Sequence, residues 1–316
     1  MSDFNTSKEF KYSPSRHVPF RDVAAIERCR GITSDQICEH HNKDLKIKIL
    51  DDHDVWFFFI MDIFFRIKEA MESGSRLVMI LPQPWPLYKH VAYLINRCRI
   101  PCSNLHTFNM DEYANEYGDI APESWPWSFA HALKKYFYNE LDPALRPPES
   151  QMVGITNENF KDYGKMIEDL GGPDICYTGP GWTGHLAFAD PDAPELPKDL
   201  DEYLQSGPLM VTLSPFTLAQ NSLHGSFGAS GDIAAVPPKA ATIGPKQALS
   251  AKHRIGLYCI GIDGGATSWQ RLITRLSLHG PVSPMIPDSI IQLGKAQAWV
   301  SRTIAQNIAI DWAKGY

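Results

Sequence analysis

Two short polar clusters contain the types of side chain that move protons in enzymes. Asp111 and Glu112 are adjacent carboxylates that follow a short apolar segment. If the backbone there is extended, their side chains point in opposite directions, so that one faces a ligand while the other makes structural hydrogen bonds. A positioned carboxylate can shuttle a proton between neighbouring carbons of a sugar. The alternative is a solvated acidic pair that opens a loop.

The second cluster is a glycine-rich turn that ends in a histidine. Gly179, Gly181 and Gly184 precede His185, and Asp190 follows the histidine by five residues. Glycine lets the backbone adopt positive φ and come close to a small ligand, and an imidazole titrates near neutral pH. Because a carboxylate can hold an imidazole in one tautomer, the spacing indicates a catalytic pair. The alternative is a structural histidine after a turn.

The sequence predicts neither a nucleotide cofactor nor a metal ion. The turn matches the pattern G-x-G-x-x-G, but a dinucleotide-binding loop opens a helix and has an acidic residue about 20 positions later. Pro191 and Pro194 exclude a long helix here. Residues 38–41, Cys-Glu-His-His, have no second ligand pair at the spacing of a zinc site.

Length and composition indicate a globular protein. The chain has 316 residues, of which 44% are hydrophobic and 21% charged, as in soluble proteins. Its net charge of −6 argues against a nucleic-acid partner, and six cysteines are too sparse for a disulfide framework. The longest apolar run, residues 55–65, is shorter than the roughly 20 residues of a membrane span, and no secretory leader is visible. We expect a cytoplasmic protein with no membrane partner.

Strand-like and helix-like segments alternate along the chain, which predicts a doubly wound, mostly parallel, Rossmann-like α/β sheet flanked by helices. Strands are predicted at 76–81, 105–108, 174–178, 241–243, 255–260 and 297–300, and helices at 34–42, 54–71, 87–97, 128–140, 157–170 and 268–276. Ligands bind beyond the carboxyl ends of such strands, where loops 81–86, 108–113 and 178–190 lie. Residues 1–50 are expected to form an N-terminal arm and helical extension, and residues 51–316 a single domain.

On these residues the chain resembles the superfamily of glucosamine-6-phosphate deaminases and 6-phosphogluconolactonases. It is more similar to the deaminase branch. Residues 108–113, Phe-Asn-Met-Asp-Glu-Tyr, look like the strand-end signature of that branch, and residues 181–191 look like its second signature. The likeness extends from about residue 50 to residue 305, and it implies a fold of the sugar-phosphate isomerase type.

The resemblance implies roles for the two clusters. Asp111 would be the base that moves the proton between the first two sugar carbons, with Glu112 beside it in the catalytic set. His185 would assist ring opening. Asp190 stands where the family usually has a glutamate, and Thr183 stands where it has an aspartate, which removes a negative charge from the proposed relay.

The residues that hold phosphate in the family are changed most. Loop 81–86 has three prolines, which remove three N–H donors. Leu218 stands where an arginine is expected, and residues 261–265 lack an expected lysine. Because a dianion without charged or N–H partners is disfavoured, we expect a sugar or amino sugar without phosphate. The residues expected to bind it are Gln83, Trp85, Gly181, Trp182, Thr183 and Gly184.

Three functions are compatible with this sequence. The first is a deaminase-isomerase of sugar or amino-sugar metabolism that needs no cofactor. The second is a non-catalytic sugar-binding or regulatory homologue, which Thr183 and the altered phosphate loop favour. The third is a sugar lactonase, a hydrolase of the same fold, which the signature at 109–113 disfavours. Relatives of this fold often assemble, and the sequence leaves open whether this chain forms a homo-oligomer.

Overall fold

The computed structural model describes residues 12–260 and 268–308. The strands, in chain order, are β1 (Leu45–Leu50), β2 (Leu77–Leu81), β3 (Leu105–Asn109), β4 (Asp111–Ala114), β5 (Met152–Val153), β6 (Ile175–Thr178), β7 (Leu209–Thr212), β8 (Lys239–Thr242), β9 (His253–Tyr258) and β10 (Ala296–Ser301). The α-helices are α1 (Val23–Arg30), α2 (Asp52–Glu72), α3 (Tyr88–Cys98), α4 (Phe129–Tyr136), α5 (Tyr163–Asp169), α6 (Leu200–Gln205), α7 (Pro215–Ser222), α8 (Pro245–Leu249), α9 (Gln270–His279) and α10 (Arg302–Ala305).

The main sheet of the described residues has seven strands in the order β1-β10-β9-β6-β2-β3-β5. Every neighbouring pair in it is parallel. A smaller antiparallel sheet has the order β4-β8-β7. The predicted doubly wound, mostly parallel α/β fold is therefore confirmed.

Helices cover both faces of the main sheet, and the central strands are apolar on both sides for that reason. In β2, Val78 and Ile80 belong to one buried cluster, which includes Tyr163 of α5. The alternate residues of the same strand pack in a second cluster with Phe59 of α2 and Val91 of α3. The alternation follows from the period of two along a strand.

The N-terminal region departs from the prediction in two ways. The predicted helix at 34–42 is wrong, because residues 34–38 form hydrogen-bonded turns in which the Thr33 carbonyl accepts from two backbone N–H groups. Helix α1 lies earlier in the chain, where the Asp22 side chain caps it by accepting from the Ala25 N–H at 3.0 Å. Strand β1 was not predicted, and it pairs with β10 along its whole length.

The main sheet therefore begins before residue 51, where the sequence placed the domain boundary. Helix α1 also packs against α9, through a buried cluster that contains Ile26 and Ile273. We propose that the domain reaches back at least to α1. No helix in residues 12–260 and 268–308 has both the length and the apolar character that crossing a bilayer requires.

The smaller sheet was not predicted. The strand expected at 241–243 corresponds to β8, but β8 runs antiparallel to its neighbours. Only Met110 separates β3 in the main sheet from β4 in the smaller one. The Met110 carbonyl accepts the Ile243 N–H at 2.8 Å, so the end of β8 lies beside this crossing point.

Candidate active site

A cavity of about 1000 Å³ lies at the carboxyl ends of the main-sheet strands. Its lining includes residues that follow β2, β3, β6 and β9 directly, which is where ligands bind in sheets of this kind. Asp111 and His185 both line it, and so do Gln83 and Trp85. The structure thus brings the two polar clusters of the sequence to one cavity.

Asp111 is the first residue of β4, and it presents a free oxygen to the cavity. Its side chain is buried, and within the described ranges its Oδ1 has no hydrogen-bond partner. Burial raises the pKa of Asp111 well above the usual range, and the nearby charge of Glu112 raises it further. A carboxylate with a raised pKa and an unused oxygen is suited to accept a proton from a ligand.

Glu112 points to the opposite side of β4, as an extended backbone requires. Its Oε1 accepts the N–H groups of Tyr113 and Phe129, at 3.0 and 2.9 Å, and its Oε2 accepts the Ala130 N–H at 2.9 Å. Two of these donors lie in the first turn of α4, where unpaired N–H groups favour negative charge. Burial nevertheless raises the pKa of Glu112 to about 7. The Glu112 oxygens are occupied by the backbone, so this side chain can act on the cavity only through its charge.

Replacing Glu112 by glutamine is expected to move the acidic limb of the pH profile of kcat/KM to lower pH. A general base works only when it is unprotonated, so activity is lost as the pH falls through the pKa of Asp111. Removing the Glu112 charge lowers that pKa, and the loss of activity then begins at a lower pH. Rates measured between pH 4 and 9 check this, with the exposed Glu116→Gln as the control. An unmoved limb in a folded variant would contradict the proposed coupling.

The imidazole of His185 is buried and fixed through one of its nitrogens. Its Nδ1 lies 3.3 Å from Asp190 Oδ1, 3.2 Å from Thr217 Oγ1 and 3.3 Å from Thr183 Oγ1. Over the described parts of the chain, no protein group bonds its Nε2. Because His185 also lines the cavity, Nε2 is the atom that is available to a ligand.

Asp190 is fully buried and holds this arrangement together. Its Oδ1 accepts the hydroxyls of Thr183 at 2.7 Å and Thr217 at 2.8 Å, and its Oδ2 accepts the Ser214 N–H at 2.9 Å. Burial alone would raise the pKa of Asp190, but hydrogen bonds from His185, Ser214 and Thr183 outweigh it and lower the pKa. Thr183 therefore supplies a hydrogen-bond donor to the Asp190 carboxylate.

The glycine turn brings its backbone close to the imidazole. A Cβ on Gly181 would lie 2.2 Å from both Cε1 and Nε2 of His185 and 2.6 Å from Gln220 Oε1, so only glycine fits there. Gly184 has φ of +81°, which favours glycine, and its carbonyl accepts the Asp288 N–H at 2.9 Å.

Trp182 was expected to bind substrate, but it is not among the residues that line the cavity. Its backbone N–H bonds Gln220 Oε1 at 2.7 Å, and its indole, 42% exposed, stacks on Trp269 with ring centroids 5.7 Å apart. Of the other residues expected to bind the substrate, Gln83 and Trp85 line the cavity, whereas Gly181, Thr183 and Gly184 do not. A part for these residues and for Trp182 in substrate binding stays a proposal.

Strand β8 connects the two clusters. Thr242 is the register partner of Asp111 in the small sheet, and its Oγ1 accepts the Phe188 N–H at 3.1 Å. Phe188 belongs to the segment that follows His185. One residue of β8 thus contacts the segments that carry the carboxylate and the imidazole.

Loop 82–86 forms a neutral part of the cavity wall. Both amide atoms of Gln83 are buried and, over the residues described, without a hydrogen-bond partner. The Trp85 ring packs against Trp56, with ring centroids 4.7 Å apart, and against Phe59 at 6.0 Å. Leu218 packs against the hydrophobic core. The expectation for residues 261–265 lies outside the described residues.

Three polar residues of the cavity were not predicted from the sequence. Gln220 and Asn221 lie on α7, His224 lies in the turn after it, and all three line the cavity. Asn221 Nδ2 is buried and has no partner in the described regions. Burial lowers the pKa of His224, and the charge of His185 lowers it further. The sequence does contain a pattern for this face, since Thr217, Gln220 and Asn221 follow the helical spacing of three and four after a Ser-Pro start.

Residues 38–41 form no metal site. The ring of His40 lies 5.5 Å from the ring of His279, and its Nε2 is 3.4 Å from Gln292 Oε1. Throughout residues 12–260 and 268–308, no group of three or more His, Cys, Asp or Glu side chains is arranged to hold a metal ion.

The parallel sheet, and a cavity shared by a buried carboxylate and a carboxylate-bound imidazole, define an α/β protein equipped for acid–base chemistry on a small ligand. Solved structures share this fold. A monomeric glucosamine-6-phosphate deaminase matches with a TM-score of 0.62 and 21% identity over 83% of this chain and 98% of that one. The 6-phosphogluconolactonase of Leishmania guyanensis matches with a TM-score of 0.57 and 14% identity over 84% and 98%.

Sequence similarity identifies the family. The glucosamine-6-phosphate deaminase of Caenorhabditis elegans is 30% identical over 243 residues, which cover 75% of this chain and 81% of that protein. No protein-family model matches the chain. The chain belongs to the glucosamine-6-phosphate deaminase family and is a deaminase-like enzyme, which confirms the resemblance predicted from residues 108–113 and 181–191.

Proposed function

We propose that this enzyme converts an amino sugar without phosphate into the corresponding ketose with release of ammonia. The observation that carries the proposal is the pairing, in one cavity, of Asp111 with a free oxygen and His185 with a free Nε2. Acid–base chemistry of this kind needs no metal ion or organic cofactor.

In the proposed reaction, Nε2 of His185 exchanges a proton with the ring oxygen and the first hydroxyl, which opens the sugar ring. Asp111 then removes the proton from the second carbon and returns it to the first. The nitrogen-bearing second carbon becomes an iminium, and water replaces the amine there. One water enters and one ammonia leaves, so the atoms balance. Asp190 stays ionised and stabilises the charged imidazole during the first step.

The neutral wall of the cavity supports a substrate without phosphate. Loop 82–86 offers the Gln83 amide and the Trp85 ring where the family has N–H donors. Besides the imidazoles of His185 and His224, the basic side chains among the described lining residues are His53 and Lys135, and both are exposed to solvent. Within the described residues, a buried phosphate dianion at loop 82–86 would therefore lack partners of the strength it needs.

A comparison of glucosamine with glucosamine 6-phosphate tests this proposal. We expect kcat/KM for ammonia release to be at least about tenfold higher for the unphosphorylated sugar, which corresponds to about 1.4 kcal/mol. A strong preference for the phosphate ester would overturn the proposal about the substrate and leave the assignment to the family intact. Release of acid from a sugar lactone, without ammonia release from either amino sugar, would favour the lactonase alternative.

A further inference from the structure

We propose that the cavity contains a second sugar-binding subsite, formed by Trp56, Trp85 and Trp127 with Gln83, so that the substrate is an amino sugar at the reducing end of an oligosaccharide. This inference rests on the proposed function, because Asp111 and His185 mark where the reacting end of the sugar binds. We call this group of three tryptophans and Gln83 the tryptophan subsite.

The cavity is larger than a single sugar ring requires. A volume of about 1000 Å³ is at the upper end of the roughly 300–1000 Å³ of pockets that enclose ligands of drug size. A single pyranose ring held by Asp111 and His185 fills only a minor part of this space. Loop 82–86, the start of α2 and Trp127 also line the cavity.

Three tryptophan side chains in the cavity wall can stack on a second sugar ring. Trp56 and Trp85 lie with ring centroids 4.7 Å apart and are only partly buried, so ring surface remains open to the cavity. The Trp127 Nε1–H donates to the Ser226 carbonyl at 2.6 Å, which fixes that indole. The negative faces of aromatic rings attract the C–H groups on the flat face of a pyranose. Rigid indoles provide such contacts with little loss of side-chain entropy.

Among the described residues, Gln83 has an unpaired side-chain amide that can bind sugar hydroxyls. Its Oε1 and Nε2 are both buried and, in the part of the chain that is described, neither has a partner. A buried amide left unpaired costs about 1–3 kcal/mol per group. An amide offers a donor and an acceptor side by side without charge, which matches neighbouring hydroxyls of a sugar rather than a phosphate or a carboxylate.

The reaction fixes the direction of the oligosaccharide. Ring opening needs a free hydroxyl on the first carbon, so the next sugar cannot be attached there. Asp111 and His185 act on the first two carbons, so a further ring can reach the tryptophan subsite only from the other end of the sugar. A second ring linked through the oxygen on carbon 4 or carbon 6 extends toward the tryptophan subsite. The glycosidic bond stays intact, while one water is consumed and one ammonia is released.

Glucosamine and two glucosyl-glucosamines, linked β-1,4 and β-1,6 with the glucosamine at the reducing end, are the probes. Ammonia release gives kcat/KM, and calorimetric titration of the Asp111→Asn variant gives affinity without turnover. We expect at least one disaccharide to exceed glucosamine by about tenfold in both quantities, the size of an aromatic stacking contact. Trp56→Ala should remove this advantage while leaving the values for glucosamine within about twofold. Tyr93→Ala, whose exposed ring is not part of the cavity lining, should change neither.

The results of these measurements distinguish the tryptophan subsite from the proposed deaminase function. Disaccharide binding that depends on Trp56, without ammonia release from any probe, would support the tryptophan subsite and overturn the proposed function. Turnover of glucosamine at least as fast as that of both disaccharides would overturn the subsite and leave the proposed function standing. The subsite is also overturned if neither disaccharide binds, or if Trp56→Ala and Tyr93→Ala weaken disaccharide binding equally. Preference for glucosamine 6-phosphate over all three probes overturns both.

Discussion

Replacing Asp111 by asparagine is expected to lower kcat/KM by about 10²–10⁴-fold, the usual contribution of a positioned general base. The amide has the same shape as the carboxyl but no basic oxygen, so the proton on the second sugar carbon has no acceptor. The affinity for substrate should remain within a few fold. The same variant distinguishes an enzyme from a sugar-binding homologue, because a protein that only binds has no turnover to lose.

The stability of this variant should not fall. The folded pKa of Asp111 is raised well above the value of about 3.9 of an unfolded aspartate. The wild-type protein therefore loses stability as the pH rises from the unfolded pKa toward the folded one, and the uncharged asparagine avoids this loss. The melting temperature at pH 7 should be equal or higher, and the exposed Asp119→Asn is the matched control. A folded Asp111→Asn enzyme with wild-type kcat would show that another group is the base.

Replacing Gly181 by alanine is expected to reduce kcat by about 10²-fold, since a displacement of roughly 1 Å in a catalytic group has effects of that size. The added methyl would lie 2.2 Å from two atoms of the His185 ring, which must then move. The ring cannot move freely, because its Nδ1 is held at Asp190 and Thr217. We also expect a loss of about 1–3 kcal/mol in the free energy of unfolding, as in other overpacked cores.

Gly225→Ala is the control for this substitution. Gly225 lines the same cavity, but within the described structure a Cβ there would meet no atom within 4 Å. Its kcat and its melting temperature should stay close to those of the wild-type enzyme. A Gly181→Ala enzyme that keeps wild-type kcat would contradict the position of the imidazole described above.

The parallel core could be predicted because its strands are buried on both faces and so appear as apolar runs, as in β2. Two parts of the sheets were not predicted. Strand β1 alternates apolar and lysine residues, Leu-Lys-Ile-Lys-Ile-Leu, so the sequence does contain the pattern of a strand with one buried face. The pairing of β7 with β8 depends on residues about 30 positions apart, which local patterns do not reveal.

The candidate site was predictable where chemistry and spacing coincide along the chain. The opposite directions of Asp111 and Glu112 follow from an extended backbone, and the contact between His185 and Asp190 joins residues only five apart. The sequence does not show on which side of a glycine turn a side chain lies, so it could not show that Trp182 is outside the cavity lining. Gln220, Asn221 and His224 reach the cavity only through the position of α7, which tertiary packing decides.

Because β8 contacts the segments that carry both Asp111 and His185, loop 82–86 can change in sequence during evolution while these two side chains keep their positions. Thr242 pairs with Asp111 and accepts a hydrogen bond from the segment that follows His185. Loop 82–86 extends from a strand of the other sheet, so insertions or substitutions in it need not disturb these two contacts. Substitutions in loop 82–86 can therefore change which ligand the cavity binds without changing the positions of Asp111 and His185. Variation among homologues should accordingly concentrate after β2 and spare the small residues of β8.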